Sequence, residues 1–276
     1  MPSASQAIFA VWSPPIPLTC ALLLTAAIYT RGFYAIRKTR PALFTTWRPF
    51  AFHMGLAVIW IAIASPLDGF ADALLSAHMV EHLLLMSIVA PLLLLGYPQV
   101  PLIRGLPRPV RISLLGPLLR LTPLRRLAHL LTTPLIAWLA MNLTLLAWHI
   151  PAAYDFALEH AHWHQFEHAC FLATSLLFWF PLLLPWPSRN HFHGWIMILY
   201  LVSADIINTI LAAFLAFCDR PVYLYYVRQP NPFHIAPLAD QVAGAAFMWV
   251  VGSFIFLLPA LYLTVRLMES NKKHRP

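Results

Sequence analysis

The chain alternates between long apolar runs and short stretches that hold nearly all of its charge and proline. A helix that crosses a bilayer needs about 20 predominantly apolar residues. Seven segments meet that need, roughly 16–36, 49–64, 73–95, 133–149, 162–184, 193–217 and 239–268. Helix breakers bracket most of them. Pro14 and Pro15 precede the first, Ser65-Pro66 follows the second, and Gly96-Tyr97-Pro98 follows the third. Pro151 follows the fourth, and Pro185 and Pro187 follow the fifth. Proline punctuates in this way because it lacks an N–H and its ring clashes with the preceding turn. The pattern predicts an all-α, polytopic membrane protein, a bundle of seven transmembrane helices forming one integral membrane domain over residues 1–276.

Composition agrees. Of 276 residues, 60% are hydrophobic and 10% charged, against about 25% charged in an ordinary soluble domain. The formal net charge of +8 raises nucleic acid as a partner. That is rejected, because the basic residues sit between apolar runs, not among polar recognition elements. Every one of the 18 Lys and Arg except Arg220 and Arg228 falls in the last turns of an odd-numbered run or after it: from Arg31 to Arg48, from Arg104 to Arg126, at Arg189, and from Arg266 to Arg275. Cytoplasmic loops carry such an excess. The N-terminus is therefore expected outside and the C-terminus in the cytoplasm, in a bacterial cytoplasmic (inner) membrane. Asp68, Asp72, Asp155, Glu159 and Asp219 gather on the opposite, periplasmic side. Met1 to Pro17 lacks the basic start of a signal peptide, so the first run is expected to be kept as a helix. The segment 97–132, rich in Pro and Arg, is expected to lie as an amphipathic stretch on the inner surface of the lipid bilayer.

Ionisable side chains inside a span are costly and mark functional sites. They concentrate in one place. The third run opens with His78-Met79-Val80-Glu81-His82 and the fifth with His164-Gln165-Phe166-Glu167-His168, so a His-x-x-Glu-His pattern occurs twice. His149 ends the fourth run on the same side. Residues i and i+4 share a helix face with i+3 beside them, so each motif presents two imidazoles and a carboxylate together. At 1.5 Å per residue, His82 lies roughly 10–15 Å inside its helix. Two such helices side by side would bring four imidazoles around one point. Imidazole suits copper, zinc and iron, and Glu81, Glu167 or the outer acids would orient the second ring nitrogens.

Other residues carry weaker signals. A lone histidine near an interface usually packs or hydrogen-bonds, and His53 and His129 are read that way. His160, His162, His191, His193 and His274 are read as interfacial or solvated. Met79 and Met86 are ordinary gap-fillers that also offer soft thioethers for Cu(I). Cys20 and Cys170 read as small apolar fillers, whereas Cys218, at a helix end, is a possible soft ligand; no CxxC occurs. Asp205 and Asn208 fall near mid-membrane and must face the bundle interior. Asp240 opens the last run, at the rim of the site or orienting a histidine, and Gly244 allows close helix packing. The tyrosines of the loop from Pro221 to Pro237 fit an interfacial aromatic belt. Three chemistries stay open: a metal-handling protein, a haem-binding cytochrome with axial histidines, and a zinc-dependent intramembrane hydrolase.

Taken together, the motif of His78 to His82 with Ala90-Pro91 and Gly96-Tyr97-Pro98, the run from Trp148 to Tyr154, His164 to His168 with Phe178-Trp179, Pro221-Val222-Tyr223, and Asp240-Gln241 with Ala243-Gly244 and Met248-Trp249 resemble the CtaG family of cytochrome c oxidase assembly factors, named from caa-type oxidases. The matching stretches cover the third to seventh runs. The resemblance implies a seven-span, non-enzymatic membrane protein that helps assemble a haem-copper oxidase by handling copper. His78, His82, His149, His164 and His168 would then hold copper near the periplasmic face. The expected partners are an oxidase subunit or a periplasmic copper chaperone.

Overall fold

The computed structural model describes residues 12–188, 192–229 and 231–273. His191, His274, Arg189, Arg275 and the first part of Met1 to Pro17 lie outside the described residues. Pro17 sits in the first turn of α1 (Ile16–Arg37), and α2 (Trp47–Ala64) follows. Ser65 ends α2 in an extended conformation, and its hydroxyl accepts the Leu67 N–H at 3.1 Å to open a short helix, α3 (Pro66–Ala73). Ser65-Pro66 is therefore a start as well as the expected stop. A serine followed by proline at the first helical position is equally a start.

Leu74 is extended, so the third run begins at Leu75. It consists of α4 (Leu75–Leu83), a π-helical turn at Leu84–Val89, and α5 (Ala90–Leu95). Next come α6 (Gln99–Gly105), a second π-helical turn at Val110–Leu115, α7 (Gly116–Arg120) and α8 (Thr122–Leu131). The chain continues with α9 (Pro134–Trp148), α10 (Pro151–Glu159), α11 (Ala161–Leu183), α12 (Gly194–Phe217), α13 (Tyr225–Arg228) and α14 (Pro237–Lys273). The described residues contain no strand.

Among the described residues, six helices are long and apolar enough to cross a membrane: α1, α2, the composite Leu75–Leu95, α11, α12 and α14. The fourth expected span differs. α9 has 15 residues, about 22 Å at 1.5 Å per residue, short of a hydrocarbon core of about 30 Å. It meets α8 at a 68° bend and makes a seventh span only if the bent pair counts as one. The bend falls where Pro134 holds Thr133 out of the helical conformation. Large apolar side chains such as Leu23, Ile61, Leu143, Ile210 and Leu261 face outward, the pattern expected where hydrocarbon is the solvent. No residue between Val110 and Leu131 is buried.

Close helix contacts set the frame. α12 packs along α14, and α14 also packs against α4. Gly244 permits that second contact: a Cβ there would lie 3.3 Å from both the Met79 Cγ and the Ser76 Cα. α11 packs against α9 and against the π turn and α5. Far from this pairing, α1 and α6 touch backbone to backbone. A Cβ on Gly32 would fall 1.8 Å from the Pro101 carbonyl oxygen, and one on Gly105 would fall 1.8 Å from that of Ile28.

Candidate metal centre

The first N–H groups of a helix have no partner within it. In α4 they are taken by Asp240, reaching across from α14. Its carboxylate accepts the Leu75 N–H at 2.6 Å, the Ser76 N–H at 3.2 Å, and the Ser76 hydroxyl. A negative charge at that end also suits the helix dipole. Asp240 thus positions the histidine-bearing helix by its end, through Leu75 and Ser76 and not through an imidazole.

From that anchored start, α4 carries His78, Glu81 and His82 into the interior, exposed by 0%, 0% and 4%. α11 carries His164, Glu167 and His168 to meet them. His78 and His82 approach Nε2 to Nε2 at 2.9 Å. The His78 ring stacks on His164 with centroids 5.0 Å apart, and His82 meets His168 edge-on at 5.4 Å. The carboxylates cross over. Glu167 of α11 lies 3.6 Å from His82 Nε2 and 4.0 Å from His78 Nε2, while Glu81 of α4 lies 3.8 Å from His168 Nε2.

None of the four carboxylate oxygens has a hydrogen-bond donor, and both glutamates are fully buried. His78 Nδ1, His82 Nδ1, His164 Nε2 and His168 Nε2 also lack a hydrogen-bond partner. Buried carboxylates without donors are costly unless a cation neutralises them. Among the described residues, two sets of donors are close enough to share one: His78, His82 and His168, and His78, Glu81 and His164, each with ligand atoms within 4.8 Å of one another. Two nitrogens 2.9 Å apart, each about 2.0–2.1 Å from one ion, would subtend about 90° there. These two nitrogens are spaced to share one small ion, and Glu81 and Glu167 are as well placed to ligate as to orient the rings.

The remaining candidates separate. His149 belongs to neither donor set. It contacts Phe171, whose ring also packs on His82, and its Nδ1 bonds the Leu145 carbonyl at 2.8 Å. Met79 and Met86 line a small cavity beside His82. Asp205 is 8% exposed with Oδ1 unpartnered, on α12, and does not line that cavity. Cys218 caps the end of α12 and joins neither donor set. His53, by contrast, has both ring nitrogens engaged, by Thr30 and Pro49.

The tyrosines are not an interfacial belt. Tyr223, Tyr225 and Tyr226 are 2%, 8% and 5% exposed. Tyr223 stacks on Tyr154 at 3.9 Å, Tyr154 packs on His78 at 5.3 Å, and the Tyr226 hydroxyl donates to the Ala71 carbonyl at 3.0 Å. Asp155 takes the N–H groups of Leu224 and Tyr225, and Gln241 takes that of Val222, folding the loop down as an aromatic cover. Nearby on α3, burial and then the neighbouring Asp72 push the Asp68 carboxyl up to about 6. Sequence reading also missed the π turn. In that register the partner of the Met86 carbonyl would be residue 91, a proline without an N–H; the Trp179 indole donates to it instead, at 3.0 Å. Pro91 was the available signal.

The fold and site together are those of a multi-span helical membrane protein with a buried imidazole–carboxylate centre. Residues 27–270 match the family described as cytochrome c oxidase caa3 assembly factor, and the chain belongs to that family. Two proteins described as uncharacterized are similar to it, one from Mycobacterium bovis and one from Mycobacterium tuberculosis. Each is 26% identical, over 97% of this chain and 40% of the relative. The chain thus spans about two-fifths of the length of these curated relatives. No solved structure matches it.

Proposed function

We propose that this chain serves cytochrome c oxidase assembly by holding copper at the centre between α4 and α11, for transfer to an oxidase subunit or exchange with a periplasmic copper chaperone. The observation that carries the reading is the pair of donor-free buried carboxylates crossed between four imidazoles. The family supplies the oxidase, and copper is a metal that imidazole holds well. An assembly factor needs no chemistry beyond binding and release, in keeping with a non-enzymatic role.

Haem fits less well. The imidazole rings pack with centroids 4.2–5.8 Å apart, and the adjoining cavity is about 30 Å³, against roughly 300 Å³ for the smaller cofactor pockets. A zinc hydrolase needs an open coordination position for water and substrate, and His78 is fully buried under the tyrosine cover. The Lys and Arg distribution supports a C-terminus in the cytoplasm, which sets the centre toward the periplasmic face of the inner membrane.

Elemental analysis and an absorption spectrum of detergent-purified protein test this, beside a His82→Ala/His168→Ala variant. Copper in the wild type, lost from the variant together with oxidase maturation while membrane insertion persists, is the expected result. Full oxidase activity in the variant, or zinc or haem in the wild type, would refute it.

A further inference from the structure

We infer that a second, softer site adjoins the centre: the cavity bounded by Met79, Met86, Met141, Met248, His82 and His149 binds one Cu(I) ion through thioether sulfur and His149 Nε2. The inference rests on the copper reading of the neighbouring centre and adds an oxidation state to it.

Four of the chain's 8 methionines converge on this one space from α4, the π turn, α9 and α14. Methionine as filler would close such a gap. Here about 30 Å³ stays open, room for roughly two waters and ample for one ion. His149 is set up as a ligand. A carbonyl can only accept, so the bond to the Leu145 oxygen places the ring proton on Nδ1. Nε2 then carries the lone pair, and it is buried without a partner. Metal-binding histidines characteristically have their other nitrogen tied in this way.

The charge balance selects the ion. No carboxylate lines the cavity. Neutral thioethers and imidazoles leave a divalent charge uncompensated in a low-dielectric interior, whereas soft ligands favour Cu(I). The adjoining centre, with Glu81 and Glu167, suits a divalent ion. His82 belongs to both, lying on the cavity wall and within the donor set of the centre, so the two sites share one imidazole. Met86 is presented by the π turn whose carbonyl Trp179 holds, and such turns recur at functional sites.

The test uses purified full chain under anaerobic conditions, with Cu(I) supplied as its acetonitrile complex. Copper K-edge absorption reads the ligand shell, and competition with a Cu(I) chelator reads affinity. Sulfur neighbours are expected in the wild type, and copper–selenium scattering in selenomethionine-labelled protein, which needs no substitution. Met141→Leu/Met248→Leu conserves volume; its Cu(I) affinity should fall at least tenfold while Cu(II) retention at the centre stays within twofold. A shell of nitrogen and oxygen alone, or unchanged Cu(I) affinity in the leucine variant, would overturn the thioether site only. No copper bound in either oxidation state would overturn the copper reading as a whole.

Discussion

Glu167→Gln isolates charge from shape at the centre. The carboxylate lies 3.6 Å from His82 Nε2 and 4.0 Å from His78 Nε2, so an ion on those nitrogens would sit roughly 4 Å from it. At an effective dielectric of about 20, one unit charge at that distance contributes about 4 kcal/mol to a monovalent partner. At about 1.4 kcal/mol per tenfold, that is about a thousandfold for each unit of charge on the ion, and removal of an ordinary ligand-orienting group costs about 10–100-fold. Copper affinity should therefore fall at least about tenfold in a chelator-competition titration. The metal-free protein should respond in the opposite sense. Glutamine replaces a buried carboxylate that has no donor, so the melting temperature of the apo variant should equal or exceed that of the apo wild type, while the rise on adding copper shrinks. An apo protein markedly destabilised by the change, with copper affinity untouched, would show that Glu167 is a structural acceptor and refute the reasoning.

Three further outcomes are expected. Asp240→Ala removes the bonds that cap α4 and should cost about 2–4 kcal/mol, as loss of charge-assisted bonds at a buried helix start does; thermal unfolding checks this, and Asp240→Asn should recover part of it. Gly32→Ala drives a methyl against the Pro101 carbonyl oxygen and should cost about 1–3 kcal/mol or more, read as a lower melting temperature with copper binding at the distant centre retained. Asp68 has a folded pKa raised from 3.8 to about 6, so folding favours its protonated form. Its unfavourable contribution is present at neutral pH and fades as pH falls through 6 toward 3.8. Asp68→Asn should accordingly raise the melting temperature at pH 7.5, with the gain shrinking steadily as pH falls from 6 to below 3.8.

Much of the architecture is written locally. Apolar runs near 20 residues and the prolines between them locate the long helices to within a few residues, because the bilayer leaves the backbone no partner but itself. The i, i+4 spacing of His78 with His82 and of His164 with His168 places each pair on one face for the same local reason. The short helix α3 and the π turn were also encoded locally, by Ser65-Pro66 and by Pro91, though neither signal is distinctive inside an apolar sequence. What the chain pattern does not carry is which faces meet. The crossing of Glu81 to His168 and of Glu167 to His82, and the use of Asp240 as a cap for another helix, depend on residues 87, 85 and 165 positions apart along the chain. The diversion of His149, the burial of Tyr223 and the convergence of Met141 and Met248 on one cavity depend equally on how helices pack. Periodicity orients a side chain about its own helix axis; only the packing of small residues and the capping of helix ends select the neighbour it faces.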